Sequence, residues 1–114
     1  MLTREQLLNL KKTTTINVDG GSLIIRALSA EYAMGLRGRN LQSPDIFEVI
    51  ADSVIQENGE PMLTSAEVGT LAISILEQIV RQVFAFNSLG SKAASEAVDE
   101  LKKTDDLTTN SPAS

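Results

Sequence analysis

Residues 14–33 read TTINVDGGSLIIRALSAEYA, and the fold turns on them. Thr13–Val18 and Ser22–Leu28 are rich in β-branched residues, which suit a pleated surface. Between them, Asp19-Gly20-Gly21 offers residues that tolerate positive φ, as two-residue hairpin loops require. The loop is either Asp19-Gly20 or Gly20-Gly21. These registers differ by an even shift, so Ile16, Val18, Leu23 and Ile25 share one face in both. Ile24 lies on the opposite face, which suggests that this side is not fully wet. After the second strand, Ser29 is an N-cap and Glu31 suits the first turn of a helix over Ala30–Leu36. Gly38 is placed as its C′ residue.

A lone hairpin is marginal in water, so helices must cover its apolar face or another chain must pair with its edge. Upstream, Thr3 and Gln6 form a capping box for a helix over about Arg4–Lys11, expected to rest on the hairpin through Leu7, Leu8 and Leu10. Downstream, Ser43-Pro44 starts a helix predicted to reach Gln56, with Ile46, Phe47, Val49, Ile50 and Val54 inward. Asn58-Gly59-Glu60-Pro61 breaks it. Thr64 and Glu67 form a second capping box, and the pattern predicts one long helix from there to about Asn87. Its apolar residues cover well over half the circumference, whereas a helix resting on one core needs a stripe of only about 100°. Such a helix either lies centrally or meets another chain. A final helix over Lys92–Lys103 presents little area through Ala94, Ala97, Val98 and Leu101, so loose docking is expected. Residues 104–114, polar and without period, are expected to be disordered.

These elements give an α+β class: one hairpin or small antiparallel sheet covered by four or five helices. Residues 1–103 make a single domain, followed by the tail. At 114 residues there is room for one domain. The core must be aliphatic, with no Trp, one Tyr and three Phe.

The composition also removes whole classes of chemistry. There is no Cys and no His, so disulfides, thiolate zinc sites and His-dependent triads are excluded. A net charge of −5 argues against general nucleic-acid binding, although Arg26, Arg37 and Arg39 are candidates for a local basic patch. A helix-turn-helix reading fails because Pro44–Gln56 carries Asp45, Glu48 and Asp52 and no basic residue. Asp52, Glu57, Asn58 and Glu60 cluster around Gly59, but Val54 and Ile55 interrupt any calcium-loop pattern. The glycine pair lies between strands and lacks the Lys-Ser/Thr of a phosphate loop. Ser29, Ser43 and Ser65 stand at helix starts and are not nucleophiles. No cofactor is expected. No apolar h-region precedes a cleavage site, and Glu77, Gln78, Arg81 and Gln82 interrupt the longest apolar helix, so the cytoplasm is the expected location.

Three stretches together resemble the tail assembly chaperones of long-tailed bacteriophages. They are Leu23–Glu31 (LIIRALSAE), Val54–Leu63 (VIQENGEPML), and the helical run from Thr64 to Asn87 with its weak following helix and polar tail. The likeness spans about Thr13 to Ser114. It implies a non-enzymatic protein of the bacterial host cytoplasm that binds the long, helical tape measure protein during tail assembly and is absent from the mature virion. It further implies the shorter of two translation products, with a slippery codon run at Leu101-Lys102-Lys103. Self-association along the client is expected. The partner-binding candidates are Leu23, Ile24 and Arg26 on the strand edge, and Ile73, Val80 and Phe84 on the outward part of the long helix. A virion structural protein of the tail tube or head–tail connector is the alternative, and a regulatory or enzyme-accessory domain is a third reading.

Overall fold

The computed structural model describes the backbone of residues 1–9 and 12–113, and side chains for 1–8 and 12–103. The expectation for the tail at 104–114 therefore lies outside the fully described residues. So do Leu10 and Lys11 at the end of the first predicted helix.

Nine elements follow in order: α1 (Arg4–Asn9), β1 (Thr13–Val18), β2 (Gly21–Arg26), α2 (Ala30–Leu36), α3 (Ser43–Ser53), β3 (Val54–Ile55), α4 (Ser65–Val68), α5 (Ile73–Phe86) and α6 (Ser91–Ala113). The class is α+β, a three-stranded antiparallel sheet with six helices among the described residues.

Val18 pairs with Gly21, which makes Asp19-Gly20 the hairpin loop. Both loop residues have positive φ, 51° and 85°, the sign pattern of a type I′ turn. Ile16 then faces Leu23, and Thr14 faces Ile25. Ile16, Val18 and Ile25 are buried on the shared face, with Leu23 packed against them.

The sheet has one strand more than the hairpin. Val54 and Ile55, read above as the last turn of a helix, pair with Ile25 and Ile24. Two successive β-branched residues lose rotamer freedom in a helix and fit a pleated edge. The neighbouring β2 edge offers them unpaired backbone groups and an apolar face. Asn58-Gly59 then reverses the chain: the Asn58 carboxamide accepts the Glu60 N–H at 3.0 Å, and Gln56 N–H donates to the Glu60 carbonyl at 2.8 Å. Asn58 is thus a turn residue.

The single long helix also divides. α4 stops at Val68, and α5 begins four residues after Gly69. Gly and Thr are weak helix formers. Thr70 draws its own N–H and hydroxyl to the Glu67 carbonyl, at 3.0 and 2.6 Å, which competes with helical continuation. Gly69 also lies against Phe47, where a Cβ would come within 3.2 Å of the ring.

α5 is the centre of the molecule. Leu76, Ile79, Val80, Val83 and Phe84 are buried between the sheet, α3 and α6. Its broad apolar girth is met from several sides within one chain. α6 docks firmly on α5, contrary to the loose docking expected: Ala94, Ala97, Val98 and Leu101 are all buried. Small side chains bring the two helices close, so a small area is efficiently excluded from water.

α1 also departs from expectation. Its capping box forms, with Gln6 N–H donating to the Thr3 hydroxyl at 3.2 Å and Thr3 N–H to the Gln6 carboxamide at 3.0 Å. Yet it does not rest on the hairpin, and Leu7 and Leu8 remain 60% and 66% exposed. The overall extents are 63 × 31 × 21 Å.

Candidate functional site

The strand-edge candidates are largely occupied by the fold itself. β2 is the central strand, not an edge, because β3 pairs along Ile24 and Ile25. Leu23 packs on the core. Arg26 donates its Nε–H to the Asp52 carbonyl at 2.6 Å, locking β2 to the end of α3. The edges are β1 and the two-residue β3, and the hairpin end of β1 is covered by α5. Gln82 donates to the Asn17 carbonyl at 2.9 Å, and the Gln78 carboxamide oxygen accepts the Asp19 N–H at 3.0 Å. The polar strip of α5 thus blunts a sheet edge, as natural sheets require. Periodicity cannot reveal this, since glutamines on a polar strip look the same whether they meet water or backbone.

The long-helix candidates are corrected in part. Val80 and Phe84 are 0% and 1% exposed and belong to the core, so neither offers an outward surface. Ile73, at the start of α5, is half-buried against that core. The arginines do not gather into a patch either. Arg37 donates to the Ser88 carbonyl at 2.8 Å, and Arg39 pairs with Asp45 at 3.5 Å.

Two features remain that the fold does not use. The first is a cleft of about 690 Å³ between the loop after α2 and the first half of α6. Its floor is apolar: Leu36, Leu41, Phe84, Leu89, Ala93 and Ala97. The loop wall carries Arg37 and Arg39, and the α6 wall carries Glu96 and Asp99, with Lys92 and Lys103 at its ends. The cleft is assembled from three separate segments, so no local motif announces it. The only sequence signal is that Leu41 and Leu89 sit in segments otherwise composed of turn residues.

The second feature is α1. Met1 and Leu2 join Leu7 and Leu8 as exposed large apolar residues. Arg4 stands three and four positions before the two leucines, so it shares their face. Residues 1–12 carry Arg4, Lys11 and Lys12 against Glu5, a net +2, which leaves −7 for the rest of a chain whose total is −5.

Adjoining the first cleft at Leu36 and Arg39, a smaller one of about 460 Å³ is lined by Tyr32, Gly35, Arg39, Asp45 and Glu48. Tyr32 is drawn well above the usual phenol range by burial, by its hydrogen bond to Asp52, and by the charges of Asp52 and Glu48. A phenol held neutral is a hydrogen-bond donor, not a base or nucleophile. Among the described residues no group of three or more acidic side chains converges as a metal site.

Fold and surfaces thus define an acidic α+β domain bearing an apolar-floored cleft and a short helix with exposed leucines. No family model, curated protein or solved structure matches the chain.

Proposed function

We propose that this protein is a tail assembly chaperone of long-tailed bacteriophages, holding the tape measure protein in the host cytoplasm while the tail is built. The sequence likeness suggests the family, and the cleft is the observation that carries the reading. An amphipathic helix binds another protein by laying its apolar side into a groove. Here the floor is apolar and the two walls differ in charge, Arg37 and Arg39 on one side and Glu96 and Asp99 on the other. An apolar floor between walls of unlike charge suits an amphipathic helical client, which supports the reading. A long helical protein offers many such segments in succession.

The test is co-expression with a candidate tape measure protein, followed by pull-down. Leu41→Glu and Ala93→Glu alter half-buried floor positions and are expected to abolish co-purification while circular dichroism remains native. Failure of the unaltered protein to bind in several tape measure constructs would overturn the proposal. Mass spectrometry of purified virions separates the alternative. A chaperone is missing from them, and a tail-tube or connector protein is present in stoichiometric amounts. For the shorter-product reading, codons at Leu101-Lys102-Lys103 that cannot re-pair in the −1 frame would remove it.

A further inference from the structure

Half of the β1 edge is left open for pairing. The Lys12 carbonyl accepts the Ala27 N–H at 2.8 Å, and Thr14, Ile16 and Val18 continue that ladder opposite Ile25, Leu23 and Gly21. Antiparallel strands alternate, so the backbone groups of Thr13, Thr15 and Asn17 point away from β2. The glutamine contacts follow the same alternation, Gln82 at the Asn17 carbonyl and Gln78 at the Asp19 N–H, and they close the hairpin end. At Thr13 and Thr15 no described residue meets the outward backbone groups, and both residues are exposed. The opposite edge is closed by its own chain. Met62 N–H donates to the Val54 carbonyl at 3.3 Å, and Ile55 bridges Pro61. Sheet edges are ordinarily guarded by charge, proline or a bulge. β1 reads TTTINV, with neither charge nor proline, and its register with β2 runs without a bulge.

We infer that β1 of one copy pairs antiparallel with β1 of a second copy about a two-fold axis, Thr13 opposite Thr15 and Thr14 opposite Thr14. The glutamines set this register, because a strand centred one residue further along would meet Gln82 at Asn17. The two outward pairs exchange both of their bonds, about four hydrogen bonds in all, and join two sheets into one. The shortness of the open stretch selects the occupant. A flexible peptide loses backbone freedom at each residue it orders, and so few hydrogen bonds, exchanged against water, do not offset that loss. β1 is already held extended by β2 and the glutamines, so it pairs without that cost. Two copies also present the same unmet donors and acceptors, and threonine faces threonine across the seam, a favourable cross-strand pair. Chains of net charge −5 meet there along a stretch without charge. The contact is isologous and closed. No β1 residue lines the cleft, so the inference does not rest on the proposed function.

The absence of native cysteine makes the test direct. A full-length Thr14→Cys chain under a mild oxidant should form a covalent dimer, because two-fold counterparts at a non-hydrogen-bonded pair stand close enough for a disulfide. Thr15→Cys is the comparison. Thr15 is the more exposed residue, so chance collision would favour it, yet in this register its counterparts are out of line. An equal or greater yield from Thr15→Cys would overturn the inference, as would no dimer from Thr14→Cys. Charge is read separately by sedimentation equilibrium, with circular dichroism as the check on folding. Thr13→Lys/Thr15→Lys sets lysine opposite lysine twice and should weaken dimerisation about tenfold. Thr13→Lys/Thr15→Glu sets lysine opposite glutamate twice and should restore it. An unaltered chain that stays monomeric, or equal association by the two double variants, would count against the pairing. Neither measurement uses the client, so both stand whether or not the tape measure protein binds.

Discussion

At Gly20 the hairpin is held by backbone conformation alone. Its φ is +85°, and a Cβ there would meet nothing within 4 Å. Gly20→Ala therefore costs only conformational strain, about 1–2 kcal/mol in urea unfolding. Gly21 lies in the strand, where a Cβ would make an ordinary 3.6 Å contact with the Val18 carbonyl. Gly21→Ala is expected to be close to neutral, and a reversed order would disprove the Asp19-Gly20 turn. Ser53 gives the opposite case, a fully buried hydroxyl with no hydrogen-bond partner among the described residues. Ser53→Ala should raise stability by about 1 kcal/mol, because an unsatisfied buried hydroxyl is a net cost. Tyr32 carries a pH signature. Its ionisation is shifted upward in the folded state by burial and by Asp52. Its contribution is complete below the unfolded phenol value of about 10 and is lost as pH rises through the higher folded value. Unfolding measured across that alkaline range should fall more steeply for the native chain than for Tyr32→Phe.

Among the elements, α5 shows how an apolar helix is shared. Its buried side meets the sheet and α6, and its polar side is put to structural use. Gln78 and Gln82 hold the β1 edge, while Glu77 reaches Arg81 at 3.2 Å and Lys102 at 3.3 Å. Those hydrogen bonds, Arg81 foremost, favour the ionised carboxylate and hold the Glu77 carboxyl below the usual carboxylate range. Both ion pairs are solvated, so the core decides stability. Phe84→Ala is expected to cost about 3–5 kcal/mol in chemical denaturation, enough to threaten folding of a small domain. A loss under 1 kcal/mol would place Phe84 on a surface after all. The divided helix and the exchanged strand share one cause. Gly69-Thr70 and Val54-Ile55 follow the overall hydrophobic pattern of a helix but have weak local preference for it, and tertiary partners decided between the options.

For the whole molecule, α1 is the part the body does not need. Leu7→Asp/Leu8→Asp should leave the unfolding midpoint within about 0.5 kcal/mol of the native chain, as surface substitutions do. A larger loss would mean that the leucines are covered by their own chain. Solubility should rise in the same variant, since an exposed apolar segment is removed.

The sequence alone determined the hairpin face, the capped start of α2, the chain reversal at Gly59, and the absence of thiol and imidazole chemistry. Each follows from residues that restrict φ, cap a helix end or carry a functional group, and these act over a few positions. Tertiary structure decided what lies beyond that range. It made β2 central by adding Val54-Ile55, buried Val80 and Phe84 that periodicity alone left open to a partner, and turned the glutamines of α5 toward a sheet edge. It also built the cleft from three distant segments. The reason is physical: an apolar side chain specifies only that water must be excluded, and packing alone chooses which neighbour excludes it.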